Sequence, residues 1–187
     1  YFELPRAVDV FDPAASTFST PAQLQTGRWQ HTSTLLPDGR ICVAAGMTNT
    51  YVSLDSFELI ALGGGGDFDD GEPLPSERGR HSASMLPDGN VLFAGGFNGA
   101  GQSLQTTEIF ESATGRFRHG SPIGIARGGH TATPLVDGRI VLAGGESAAG
   151  VPLSGIELYE STSETFTAGP PLASARTGHT ATSLSSG

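Results

Sequence analysis

Residues 127–145 read Arg127-Gly-Gly-His-Thr-Ala-Thr-Pro-Leu-Val-Asp-Gly-Arg-Ile-Val-Leu-Ala-Gly-Gly145, and the same wording occurs in three other places. It begins at Arg28, with His31 and a final Gly46. It begins again at Arg78, with His81 and a final Gly96. It begins a fourth time at Arg176, with His179 followed by Thr-Ala-Thr-Ser-Leu. Read locally, the stretch is two strands and a turn. The small, alternating segment after His130 suits a strand with little room around it. Asp137-Gly138 supplies the positive φ of a tight hairpin. Arg139-Ile-Val-Leu-Ala is apolar at successive positions, as in a strand buried on both faces.

Working outward, more positions keep step. The four His are separated by 50, 49 and 49 residues. A Phe precedes each by 13 (Phe18, Phe68, Phe117, Phe166), and an aliphatic residue precedes each by 7 (Leu24, Leu74, Ile123, Leu172). An acid precedes by 22 at Asp9, Glu108 and Glu157, and by 23 at Glu58; one extra residue in the Gly63–Gly66 run explains the shift. A third strand (Gly155-Ile-Glu-Leu-Tyr), a polar turn and a fourth strand around Phe166 complete each unit. Four strands in about 50 residues is the period of a propeller blade, which buries its two faces only against neighbouring blades.

The Arg-x-x-His-[Ser/Thr] start, the Asp-Gly turn and the Gly-Gly at the end of the second strand resemble kelch repeats. The wording is most similar to the bacterial, galactose-oxidase-like branch, although Phe stands where that family usually has Trp. The expectation is an all-β chain: a kelch-type β-propeller segment of about four four-stranded blades, with three complete units and partial blades at both ends. Residues 1–27 would be the third and fourth strands of one blade. Residues 28–77, 78–126 and 127–175 would be blades. Residues 176–187 would be the first strand of another. The resemblance implies closure at six or seven blades. The expected closure is therefore by the remainder of a longer chain, or by self-association; a four-bladed ring is a third arrangement.

Composition narrows the function. The chain has 187 residues, 10 Arg, no Lys, 19 acidic residues and a net charge of -9, which argues against binding a nucleic-acid backbone. No apolar run is long enough to span a membrane. The lone Cys42 excludes an intrachain disulfide framework and a Cys-rich zinc site. The acidic, Lys-free, Ser/Thr/Gly-rich character and the resemblance suggest an exported bacterial protein, extracellular or at the cell surface.

Residues present in every unit are expected to support the fold. Arg28, Arg78, Arg127 and Arg176, with His31, His81, His130 and His179, belong to this class. Each Arg is expected to reach one of Asp9, Glu58, Glu108 and Glu157, because buried charge is tolerated only when paired. The resemblance also raises a copper radical oxidase, which needs His and Tyr ligands and a Tyr–Cys link. The residues before the His are Gln30, Arg80, Gly129 and Gly178 rather than Tyr, and Cys42 sits in an apolar strand. No catalytic residue, metal or cofactor is therefore expected. The acidic run Asp67–Glu72 reads as a solvated strand edge, and His119 as an exposed surface residue.

Recognition residues vary between units. The loops after each Gly-Gly differ, so Asn49, Tyr51, Phe97, Asn98 and Gln102 are candidate binding residues, with Trp29 and Arg80 from the connections. The leading expectation is a non-catalytic binding or scaffold module with a protein or glycan partner. The alternatives are part of a copper oxidase completed by other blades, and a structural repeat subunit of a larger assembly.

Overall fold

The computed structural model describes residues 3–61, 68–69 and 71–184, with the backbone alone at 68 and 69. Gly63–Gly66, Asp67, Asp70 and the Phe68 ring lie outside the described residues. Fourteen strands and no helix occur among those described. The strands β1 (Ala7–Asp12) and β2 (Thr17–Gln23) pair by themselves. Three four-stranded antiparallel meanders follow. The first comprises β3 (Thr32–Leu35), β4 (Arg40–Ala44), β5 (Phe57–Ala61) and β6 (Phe68–Asp69). The second comprises β7 (Ser82–Met85), β8 (Val91–Ala94), β9 (Thr107–Glu111) and β10 (Arg116–His119). The third comprises β11 (Thr131–Pro134), β12 (Ile140–Ala143), β13 (Ile156–Glu160) and β14 (Thr165–Gly169).

Residues 180–184, expected to be the first strand of another blade, have no sheet partner among the described residues, and a strand exists only through its ladder bonds.

The hairpin reading holds in atomic detail. Gly39, Gly89 and Gly138 have φ of 86°, 86° and 87°. The Asp before each accepts from the backbone N–H of Arg40, Asn90 or Arg139 at 3.0–3.1 Å. At the far end of the second strands, Gly46, Gly96 and Gly145 have φ of 94–98°. A Cβ there would lie 2.9 Å from the Cβ of His31, His81 or His130, so only Gly fits.

The core lies between sheets. Leu36, Cys42, Phe57 and Leu59 pack against Val91, Phe93 and Phe110 of the next sheet. Leu92 and Ile109 pack in turn against Ile140, Leu142 and Tyr159. Val43 and Ile60 meet Ala22 and Leu24 on the other side. The first and second four-stranded sheets thus lose apolar area on both faces, at about 1.5–3 kcal/mol per fully buried large side chain. The repeated aliphatics Leu24, Leu74 and Ile123 are all buried in these layers. Cys42 belongs here too, and burial pushes its thiol up to about 12.

Candidate functional site

The repeated Arg fastens successive sheets. The backbone N–H of Arg78 donates to Leu54 O and its carbonyl accepts from Gly46 N–H, both in the preceding unit. Its guanidinium turns into its own unit, donating to Gly95 O and Thr106 O and reaching Glu108 at 3.0 Å. Arg127 repeats this: backbone to Leu104 and Gly96, guanidinium to Gly144 O, Gly155 O and Glu157 at 2.7 Å. Arg28 donates to Ala45 O and Ser56 O and meets Glu58 at 2.7 Å. The fork of five donors suits this geometry, since one cation satisfies two carbonyls and a carboxylate.

The pairing expectation needs correction at two residues. Arg28, Arg78 and Arg127 each meet the acid 30 residues downstream; at that spacing the counterparts of Asp9 and Arg176 fall outside the given residues, and neither makes the expected pair. Asp9 instead accepts from the Thr20 hydroxyl at 2.7 Å. Arg176 keeps the backbone bonds to Leu153 and Gly145, while its Nε donates to Ser174 O. Thirty residues is the distance from the start of a unit to its own third strand, where the carboxylate projects back.

The repeated His form a second, inner series. His81 Nε2 lies 2.8 Å from Thr32 Oγ1, His130 Nε2 is 2.9 Å from Ser82 Oγ, and His179 Nε2 is 3.2 Å from Thr131 Oγ1. This explains why Ser or Thr follows each His: that hydroxyl receives the His of the next unit. Burial, then the neighbouring Arg78, holds His81 well below the ordinary histidine value. Burial and Arg127 depress His130 to about 3. These rings are neutral near pH 7. A third series runs through the residues before each His: Arg80 N–H donates to Gln30 O, Gly129 N–H to Arg80 O, and Gly178 N–H to Gly129 O. Gln30, Arg80, Gly129 and Gly178 all have φ of 52–63°, a left-handed collar in which two non-Gly residues sit.

Three units meet above this collar around a cavity of about 320 Å³. Trp29 and Tyr51 form one wall, edge to face, with ring centroids 5.3 Å apart. Phe97 lies in the floor, and the Arg80 guanidinium sits 5.4 Å above its ring. Arg80 Nη1 donates to Glu146 on the opposite side. The aromatic floor exists because Phe97 lies over Gly128; any side chain at 128 would overlap that ring. Met47 lies over Gly79 in the same way.

Four of the candidate binding residues, Trp29, Tyr51, Arg80 and Phe97, therefore converge on one cavity. Three do not. Asn98 accepts from Ala100 N–H and Gln102 N–H and donates to the Gln102 amide, so this pair closes its own loop. Asn49 lines a separate recess with Leu4 and Arg6. Sequence reasoning passed over Glu146 and Met47. Their signal was positional: the residue after Gly46, Gly96 and Gly145 is Met47, Phe97 or Glu146, differing in every unit.

The copper reading can be tested on the donors. The Nε2 atoms of His81, His130 and His179 are taken by hydroxyls. Tyr159 is buried in the core, Tyr51 stands beside Trp29, and Cys42 is sealed between sheets. Among the described residues these groups do not assemble into a copper–tyrosyl centre.

No family model matches this sequence, and no curated protein matches it. Solved structures do. That of YjhT is similar with a TM-score of 0.72 at 16% identity, covering 88% of this chain and 52% of that one. The chain spans about half the length of that structure. The architecture is β-propeller-like: all-β, with antiparallel sheets set one against the next.

Proposed function

We propose that this chain is a non-catalytic recognition module: a kelch-type propeller segment of about four blades that presents variable loops to a protein or glycan. The observation that carries the reading is the convergence of Trp29, Tyr51, Arg80 and Phe97 from two units on one open cavity. These residues differ from their counterparts in the other units, whereas the Arg and His that bond the units together recur. Aromatic side chains with an Arg are the composition of binding hot spots. Tyr51 is 68% exposed, and an exposed aromatic beside a cavity supports a contact role over a packing one.

The test is backbone-amide NMR mapping with a panel of methyl glycosides and N-acetyl amino-acid amides. Binding at this site moves resonances of residues 47–53, 97–102 and 146–150 and leaves every probe chemically unchanged. Shifts confined to the opposite hairpins around Gly39, Gly89 and Gly138, no shifts at all, or turnover of a probe, would each overturn the reading.

A further inference from the structure

The chemistry of the cavity is narrower than protein or glycan. Among the described residues its only charged side chains are Arg80 and Glu146, and they neutralise one another, although the chain as a whole carries -9. A cationic ligand would face the Arg80 guanidinium, and an anionic one would face the Glu146 carboxylate. What both groups serve together is a hydroxyl, which accepts from the guanidinium and donates to the carboxylate. The Glu146 side chain is 15% exposed and that of Arg80 30% exposed, so both ends of the pair remain open to such an exchange. Across the cavity, the Trp29–Tyr51 wall offers aromatic surface. The indole N–H is already committed to Thr48 O at 3.0 Å. That wall therefore offers faces and edges rather than the indole donor, which suits the C–H face of a saturated ring. Gly101 and Gly150 line the same cavity and have no side chains to fill it. Its volume is at the low end for small-molecule sites.

We infer that the cavity bounded by Trp29, Tyr51, Phe97, Arg80 and Glu146 takes an uncharged pyranose, with the ring against the Trp29–Tyr51 wall and its hydroxyls on the Arg80–Glu146 pair. This rests on the recognition reading above and selects the glycan over the protein partner. No bond is made or broken; the ligand exchanges water for the paired charges and the aromatic wall.

Trp29 is the only Trp in the chain, so its emission reports on this wall without labelling. The full chain is titrated with the methyl glycosides of glucose, galactose, mannose and N-acetylglucosamine, and separately with N-acetyl-tyrosinamide and N-acetyl-argininamide. The expected result is a saturable change in Trp29 emission with at least one glycoside and none with the amides. Tyr51→Ala, at a solvent-exposed side chain, should weaken that binding about fivefold, the effect of one lost aromatic contact. Glu146→Gln, which keeps the shape but not the charge, should weaken it about tenfold. Saturation with an amide and no glycoside would overturn the pyranose assignment while leaving the cavity a recognition site. A glycoside response unchanged in both variants would also overturn it. No response to any probe would remove both the assignment and the recognition reading at this cavity.

Discussion

His119 Nδ1 lies 3.0 Å from Glu108 Oε2, an oxygen that a proline 44 residues earlier in the chain leaves without a backbone donor. Glu58 accepts from the backbone N–H groups of Gln25 and Thr26, and Glu157 from those of Gly124 and Ile125. The residue matching Gln25 and Gly124 before Glu108 is Pro75, which has no N–H to give. Ser76 Oγ covers Oε1 at 3.3 Å. Oε2 is left without an aligned hydrogen-bond donor and has the imidazole as its close polar neighbour. His119, the one His outside the repeat, is the polar group beside the oxygen that Pro75 leaves without a backbone donor. Its ring is 73% exposed, as expected for a surface residue, but its other side faces a fully buried carboxylate.

A double-mutant cycle checks this compensation. His119→Ala should cost about 1 kcal/mol in the parent chain, a modest value because the imidazole is largely solvated. In a Pro75→Ala background, where an amide N–H is restored, the same change should cost clearly less. Urea unfolding gives both values, and strict additivity would show that His119 and Pro75 are unrelated.

The Arg fasteners should differ by position. Arg127→Leu removes a cation that faces Glu157 and two carbonyls in the interior, and should cost about 3–5 kcal/mol, mostly from the buried charge left behind. Arg176→Leu should cost less than about 1 kcal/mol, because that side chain is exposed and its Nε bonds Ser174 O within the same connection. Equal losses in urea midpoint would contradict the fastening role.

The buried His give the fold an acid-labile seam. His130 is depressed to about 3 in the folded chain, against about 6.5 when unfolded. Between those values the unfolded chain binds the extra proton. Stability is therefore full above about pH 6.5 and declines as pH falls toward 3, by up to about 1.4 kcal/mol per pH unit for one such group. His130→Gln should flatten the fall in urea midpoint between pH 6.5 and 4.5, above the range where most carboxylates protonate. An unchanged slope would mean that His130 is not the group responsible.

Two glycines separate steric need from backbone need. Gly128→Ala places a Cβ inside the Phe97 ring and should cost about 1–3 kcal/mol while disturbing the cavity floor. Gly101→Ala meets no atom within 4 Å but sits at φ +72°, so it should cost about 1–2 kcal/mol without moving Phe97. Phe97→Ala should restore tolerance at 128 and leave 101 unaffected. Melting temperatures of the three variants and the two double mutants check this.

Much of the candidate site was legible in the chain, and the remainder was hidden for identifiable reasons. Tyr51, Phe97, Trp29 and Arg80 stood out as departures from a repeat. Asn98 and Gln102 departed equally, but the short Asn98 side chain accepts from backbone N–H groups of its own loop and donates to the Gln102 amide oxygen, which keeps both within that loop. Glu146 stood at a varying position too, yet its partner is 66 residues away and belongs to another unit.

The sequence by itself determined the strands, the hairpins, the left-handed glycines and the period, because each depends on neighbours within a few residues or on alternation along one strand. It also marked which Arg, His and acid would recur. Only the tertiary structure decided which acid each Arg meets, that each His reaches the hydroxyl of the unit before, and that His119 lies beside the Glu108 oxygen that Pro75 leaves without a backbone donor. Those are contacts across sheets, where the partner is set by how one twisted sheet lies on the next, and no local pattern records that distance.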